Sequence, residues 1–218
     1  MKSEMVGVLI FLVIFGCSVN PSPNKDEKQE IKSRSEAGSR REEKICLLAL
    51  NEIDSILLKK LSTDLEKIFG RRVEISKNLL DLEFAYNPER RQYYSSVILE
   101  KLPNIAPEAC ERLLALVDVD LYVPELNFVF GEADIEKKMA VISTKRLKPE
   151  YYGLPEDTKL FGDRVLKESV HELGHTYGLG HCPDKKCVMH FSNSLIDTDI
   201  KSPFFCEDCK KKLMNLEG

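Results

Sequence analysis

The stretch His171-Glu172-Leu173-Gly174-His175-Thr176-Tyr177-Gly178-Leu179-Gly180-His181 reads H-E-x-x-H-x-x-G-x-x-H. On a helix, His171 and His175 are four residues apart and share one face, so both imidazoles reach one metal ion. Glu172 stands about 100° round the helix, where it reaches a water on that ion without binding the ion itself. Gly178 supplies the left-handed conformation that ends a helix. The chain then turns back and delivers His181 as a third nitrogen ligand. Three protein ligands and one open position describe a catalytic zinc rather than a structural one. A bare H-E-x-x-H arises by chance on exposed helices. The extended form demands a glycine and a third histidine in register, and three of the chain's four histidines fall inside it.

The residues just downstream carry a second pattern. Cys182 adjoins His181, and Cys187, Met189, Cys206 and Cys209 follow. The cysteines form C-x4-C, eighteen intervening residues, then C-x2-C. That spacing suits a structural zinc held by four thiolates. The segment from Pro183 to Phe205 is too short and polar to build its own core, and a metal would fix it where burial could not. A metal there would also steady His181 through Cys182. In an oxidising compartment the same four cysteines could form two disulfides instead. Met189 is not counted as a ligand, because a thioether binds zinc poorly beside three imidazoles. His190 is a packed or solvated histidine or a further ligand, and the site already has three.

The zinc helix, the third histidine and Met189 resemble the metzincin metalloproteases. The cysteines narrow the resemblance to the archaemetzincin family, whose pattern joins the zinc helix to C-x4-C-x-M and a later C-x-x-C. Asp120 to Pro124 and Phe128 to Ala133 resemble that family too, and the likeness covers most of the chain after residue 44. It implies a zincin-like α/β fold. The expected architecture is a mixed, mostly parallel twisted sheet packed on helices that include the zinc helix, with a small zinc-stapled C-terminal subdomain over 182–218. It implies two Zn2+ ions, and a peptide or protein as substrate. It places Met189 in a tight turn beneath the metal. It also makes Phe128, Val129, Phe130, Gly131 and Glu132 the strand that borders the cleft and pairs with an extended peptide. The resemblance is imperfect at Phe191, where certain metzincins carry a tyrosine. An oxyanion donor must then come from elsewhere.

The chemistry expected of such a site is peptide hydrolysis. Zinc lowers the pKa of a bound water to about 7. Glu172 takes its proton as general base and passes it to the leaving amine. A different class of reading is a membrane-tethered peptide-binding module that contains zinc and turns over little. Glu172 separates the two, since a binder needs no general base.

Outside the motif, Ile45 to Leu50 reads as a strand covered on both faces. Leu57, Leu61, Leu65 and Ile68 recur at helical spacing, and Gly70 ends that helix. Arg72 to Ser76 alternates as a strand does. Tyr94, Val97 and Ile98 suggest a helix. Leu113 to Val119, Phe128 to Phe130 and Met139 to Ser143 suggest strands, with Pro124 in a loop between the first two. The motif helix is expected from about Thr158 to Tyr177, with Leu166, Val170, Leu173 and Tyr177 as its buried stripe. Cys46 and Cys110 lie in apolar surroundings and read as buried, inert thiols.

Met1 to Cys17 reads as an export segment. Val6 to Phe15 is an apolar run too short to span a membrane comfortably. The ending Ile14-Phe15-Gly16-Cys17 resembles a lipoprotein processing site, with Phe15 where a small residue is usual. Lipidation at Cys17, or an uncleaved signal anchor, tethers the protein to a membrane. Residues 18–43 are polar and read as a disordered tether, and 44–218 as the catalytic domain. The formal net charge of −4 and the lack of a basic stripe argue against a nucleic-acid partner.

Overall fold

The computed structural model describes residues 44–216. The export segment, Cys17 and the tether lie outside the described residues. The chain opens with β1 (Lys44–Ala49), α1 (Ser55–Phe69) and β2 (Arg72–Lys77), a strand–helix–strand unit whose two strands pair in parallel. Asp54 starts α1, its carboxylate accepting the Ile56 N–H at 2.8 Å. Gly70 stops it in the left-handed region at φ +63°, with its N–H on Glu66 O.

After the short strands β3 (Tyr86–Asn87) and β4 (Gln92–Tyr94) come α2 (Ser95–Lys101), β5 (Cys110–Val117), β6 (Leu121–Tyr122), β7 (Gly131–Asp134) and β8 (Met139–Ser143). The zinc-motif helix is α3 (Thr158–Thr176), followed by α4 (Leu195–Ile200) and α5 (Glu207–Leu216). The main sheet runs β2-β1-β5-β8-β7. The first four strands are parallel and β7 is antiparallel on the edge. This is the mixed, mostly parallel sheet expected from the sequence.

Strand alternation divides the core into two layers. Ile45, Leu47 and Ala49 pack with α1 and with Val165, Val170 and Leu173 of α3. Cys46, Leu48 and Leu50 pack on the opposite face with Ile98, Leu99 and Leu102. The C-terminal stretch has no core of its own. Val188, Met189, Phe205, Cys209 and Leu213 bury themselves in the first layer.

Three expectations need correction. Cys46 and Cys110 are not inert thiols but a disulfide, with Cα atoms 5.7 Å apart. They lie on neighbouring parallel strands, where that spacing permits a bridge, and 64 residues of sequence hid the proximity. The strand expected at Leu113 to Val119 starts earlier and ends at Val117. Phe128 to Phe130 form no strand. Val129 makes a single bridge to Leu121, and the ladder to β8 begins only at Gly131. The preceding loop is held in place by side chains: Arg90 donates to the carbonyls of Leu126 (2.7 Å) and Asn127 (3.2 Å), and Gln92 donates to Asn127 O at 2.9 Å. The Phe128 and Phe130 rings meet edge to face at 5.1 Å.

Candidate active site

The carboxylate of Asp157 caps α3 by accepting the Leu160 N–H at 2.8 Å. Leu166, Val170 and Leu173 face the core as expected, and Tyr177, just past the last helical turn, joins them. The helix stops because Gly178 takes φ +91° and its N–H returns to His175 O at 2.9 Å. The next residues fold back along the helix end, and His181 arrives beside the first two histidines.

The three imidazoles converge. His171 Nε2 and His175 Nε2 are 3.1 Å apart, and one ligand atom from each of His171, His175 and His181 lies within 4.8 Å of the others. His171 Nδ1–H donates to Val188 O at 2.8 Å and His175 Nδ1–H to Leu179 O at 2.7 Å. Each Nδ1 therefore keeps its proton, and each Nε2 lone pair points inward. Two such lone pairs at 3.1 Å repel unless a cation lies between them. Two nitrogens on one tetrahedral zinc stand roughly 3.3 Å apart for bonds of 2.0–2.1 Å. The donor set fits zinc. Burial holds all three imidazoles below the ordinary histidine range, in the neutral form a metal requires.

Glu172 is 6% exposed and lies on the cleft side of the helix. Burial, then the charge of Glu168, raises its carboxyl well above the ordinary carboxylate range, and Lys201 opposes them. Gly131 of β7 makes room for it. A Cβ at residue 131 would stand 2.6 Å from Glu172 Cγ and 2.8 Å from Val141 O. The neighbouring Glu132 is tied down by α2: Ser95 Oγ and Ser96 Oγ both donate to its carboxylate, Ser96 at 2.8 Å. Of the stretch Phe128 to Glu132, only Gly131 and Glu132 thus stand on the edge strand. Phe128, Val129 and Phe130 line the cleft from a loop.

Met189 is fully buried beneath the site. A Cβ on Gly174 would come within 2.5 Å of its sulfur. The glycine inside the motif is therefore what lets the thioether lie against the helix. His190 turns its Nδ1–H to Cys182 O at 2.9 Å, as a packed histidine rather than a fourth ligand.

Cys182, Cys187, Cys206 and Cys209 are free thiols gathered into one cluster, their sulfurs within 4.8 Å of one another. Cys182 and Cys206 are 3.8 Å apart, far too distant for a disulfide. That spacing matches the roughly 3.8 Å between two thiolates on one tetrahedral zinc with bonds near 2.3 Å. Burial pushes the Cys187 and Cys209 thiols up, whereas the Cys209 backbone N–H pulls Cys206 down.

Sequence reasoning missed one feature beneath the site. Lys201, completely buried, pairs with Glu168 Oε1 at 3.0 Å, and Glu168 Oε1 also accepts Thr198 Oγ1 at 2.9 Å. Glu168 precedes Glu172 by one helical turn, a spacing visible in the sequence. Lys201 is 33 positions further along, and no local pattern marks it.

The family model described as Peptidase family M54 matches residues 51–215. An archaemetzincin of Methanocaldococcus jannaschii is 41% identical over 172 residues, 79% of this chain and 93% of that protein. The crystal structure of an archaemetzincin from Methanopyrus kandleri superposes with a TM-score of 0.71 at 39% identity, covering 82% of this chain and 97% of that one. A zinc-dependent peptidase from Methanocorpusculum labreanum superposes with a TM-score of 0.70 at 30% identity, covering 78% and 99%.

Proposed function

The chain belongs to peptidase family M54, the archaemetzincin-type zinc metallopeptidases, and from that premise we propose that Glu172 drives hydrolysis of peptide bonds at a zinc held by His171, His175 and His181. The observation that carries this is the union of three converging imidazoles with a buried carboxylate in one open cleft of about 350 Å3. Zinc, when bound there, polarises the scissile carbonyl and acidifies water.

The chain's own groups do the rest. Glu172 takes a proton from the attacking water and releases it to the departing amine. Val188 O and Leu179 O keep His171 and His175 turned with Nε2 inward. Gly131 leaves Glu172 its space, and the outer edge of β7 offers backbone groups to an extended peptide. Cys182, Cys187, Cys206 and Cys209 would hold a second zinc, which would fix the return loop that carries His181.

The apolar run from Val6 to Phe15 and Cys17 support a membrane-tethered, exported protein. The Cys46–Cys110 disulfide, a bond of oxidising compartments, supports the same reading. Mass spectrometry of the mature N-terminus tests the lipid at Cys17.

Digestion of a broad peptide library by zinc-loaded, chelator-stripped and zinc-restored protein tests the activity. Cleavage lost with the metal and regained with it is expected. Peptides bound by the loaded protein but left intact would favour the binding-module reading instead.

A further inference from the structure

The cleft has a side chamber of about 190 Å3 that borders His171 and Glu172 but neither His175 nor His181. Its position identifies which part of a substrate enters it. In the proposed reaction Glu172 delivers a proton to the departing amine, so the amine half of the substrate lies on Glu172's side. The residue that contributes that amine therefore directs its side chain into the chamber.

Three aromatic rings, Phe128, Phe130 and Phe191, line the chamber beside polar groups, and two carboxylates, Glu168 and Glu172, border it. Phe128 and Phe130 form one wall, and Arg146 stacks behind Phe128 at 4.3 Å while gripping Asp120 with two hydrogen bonds, the Nη2 contact at 2.7 Å. A dry cavity near 150 Å3 accommodates benzene, so this space suits one aromatic ring. Glu168 lines the chamber although only 2% exposed. Thr198 and Lys201 both engage its Oε1. Both recorded contacts fall on Oε1, no donor to Oε2 is found among the described residues, and Glu168 lines the chamber. Glu168 thus presents an acceptor. Lys201 offsets the charge of Glu168, so a cationic tip gains no net attraction and an anionic tip meets a carboxylate.

We propose that the chamber selects tyrosine as the residue supplying the amine of the scissile bond, its phenol O–H donating to Glu168 Oε2. Glu168 is then a specificity-determining residue. This rests on the peptidase reading above.

The test uses peptides identical except for tyrosine, phenylalanine or lysine at that position, with zinc-loaded wild type. It reads kcat/KM for each peptide, and also Kd on the zinc-loaded Glu172→Ala protein, which reports recognition without chemistry. Tyrosine is expected to exceed phenylalanine by at least about tenfold in both, because a site built to bond a hydroxyl penalises its absence. The double variant Glu168→Leu/Lys201→Leu replaces the ion pair with apolar groups, an exchange buried pairs often tolerate. Its tyrosine-to-phenylalanine ratio is expected to fall to about one, and that ratio is insensitive to a general loss of stability. Equal or better handling of phenylalanine by wild type overturns the proposal. So does a preference for lysine, or a tyrosine preference that survives the double variant. If no peptide is cleaved at all, the peptidase reading fails on its own, and the Kd comparison still decides this one.

Discussion

A Cβ on Gly131 would stand 2.6 Å from Cγ of Glu172, so the edge strand and the Glu172 side chain occupy complementary volumes with nothing to spare. Val141 O, part of the adjacent strand's backbone, blocks retreat at 2.8 Å. Gly131→Ala must therefore push Glu172 aside. Peptide cleavage should fall by about 10²-fold, the contribution of a positioned general base, while zinc content stays unchanged. Kinetics with metal analysis on the same sample checks this, and a fully active Gly131→Ala protein would show that Glu172 does not need its present place.

The second close fit lies beneath the helix. Gly174→Ala drives a methyl into Met189 Sδ, and overpacking of this kind costs about 1–3 kcal/mol. Met189→Leu keeps the volume and should cost under about 1.5 kcal/mol. Because the thioether serves packing, Met189→Leu should also hold its zinc. Denaturant titration ranks the two variants, and loss of catalytic zinc from Met189→Leu would make Met189 a ligand after all.

Burial sets the pH dependence of the metal-free protein. Glu172 has its carboxyl raised well above the ordinary value of 4.5 by burial and then by Glu168. Stability from a raised group is fully present below its unfolded pKa and is lost as pH rises through the folded one. Metal-free Glu172→Gln lacks this loss. It should match wild type below about pH 4.5 and exceed it in stability at neutral pH. The three histidines are common to both proteins and cancel. Chemical denaturation in chelator across pH reads the difference, and a constant gap at all pH values would refute the assignment.

Much of this was legible before any coordinates. The zinc helix, its stop at Gly178 and the α1 stop at Gly70 follow from local spacing and backbone chemistry. The apolar run from Ile45 to Leu50 reads as a strand covered on both faces, and its two faces do pack into two layers. What escaped depends on groups far apart in sequence. The Cys46–Cys110 bridge needs the parallel pairing of β1 with β5. The Glu168–Lys201 pair needs α4 docked on α3, which Arg164 secures through two bonds of 2.7 Å to Asp199. Phe128 to Phe130 have strand composition, yet Arg90 and Gln92 hold the loop before them and leave them lining the cleft.

The cysteines yield a count. Elemental analysis of the soluble domain should find two zinc ions per chain, and intact mass should show one disulfide, Cys46–Cys110. Cys182, Cys187, Cys206 and Cys209 should resist alkylation until a chelator removes the metal. One zinc per chain, with four cysteines that react only after reduction, would mean that they pair as disulfides instead.

The most direct measurement compares Glu172→Ala with His175→Ala for cleavage and metal content in one experiment. Glu172→Ala should keep both zinc ions and lose at least about 10²-fold in peptide cleavage. His175→Ala should lose the catalytic zinc and retain the zinc at the cysteines. A Glu172→Ala protein that holds its metal and cleaves peptides as fast as wild type would contradict the account at its centre.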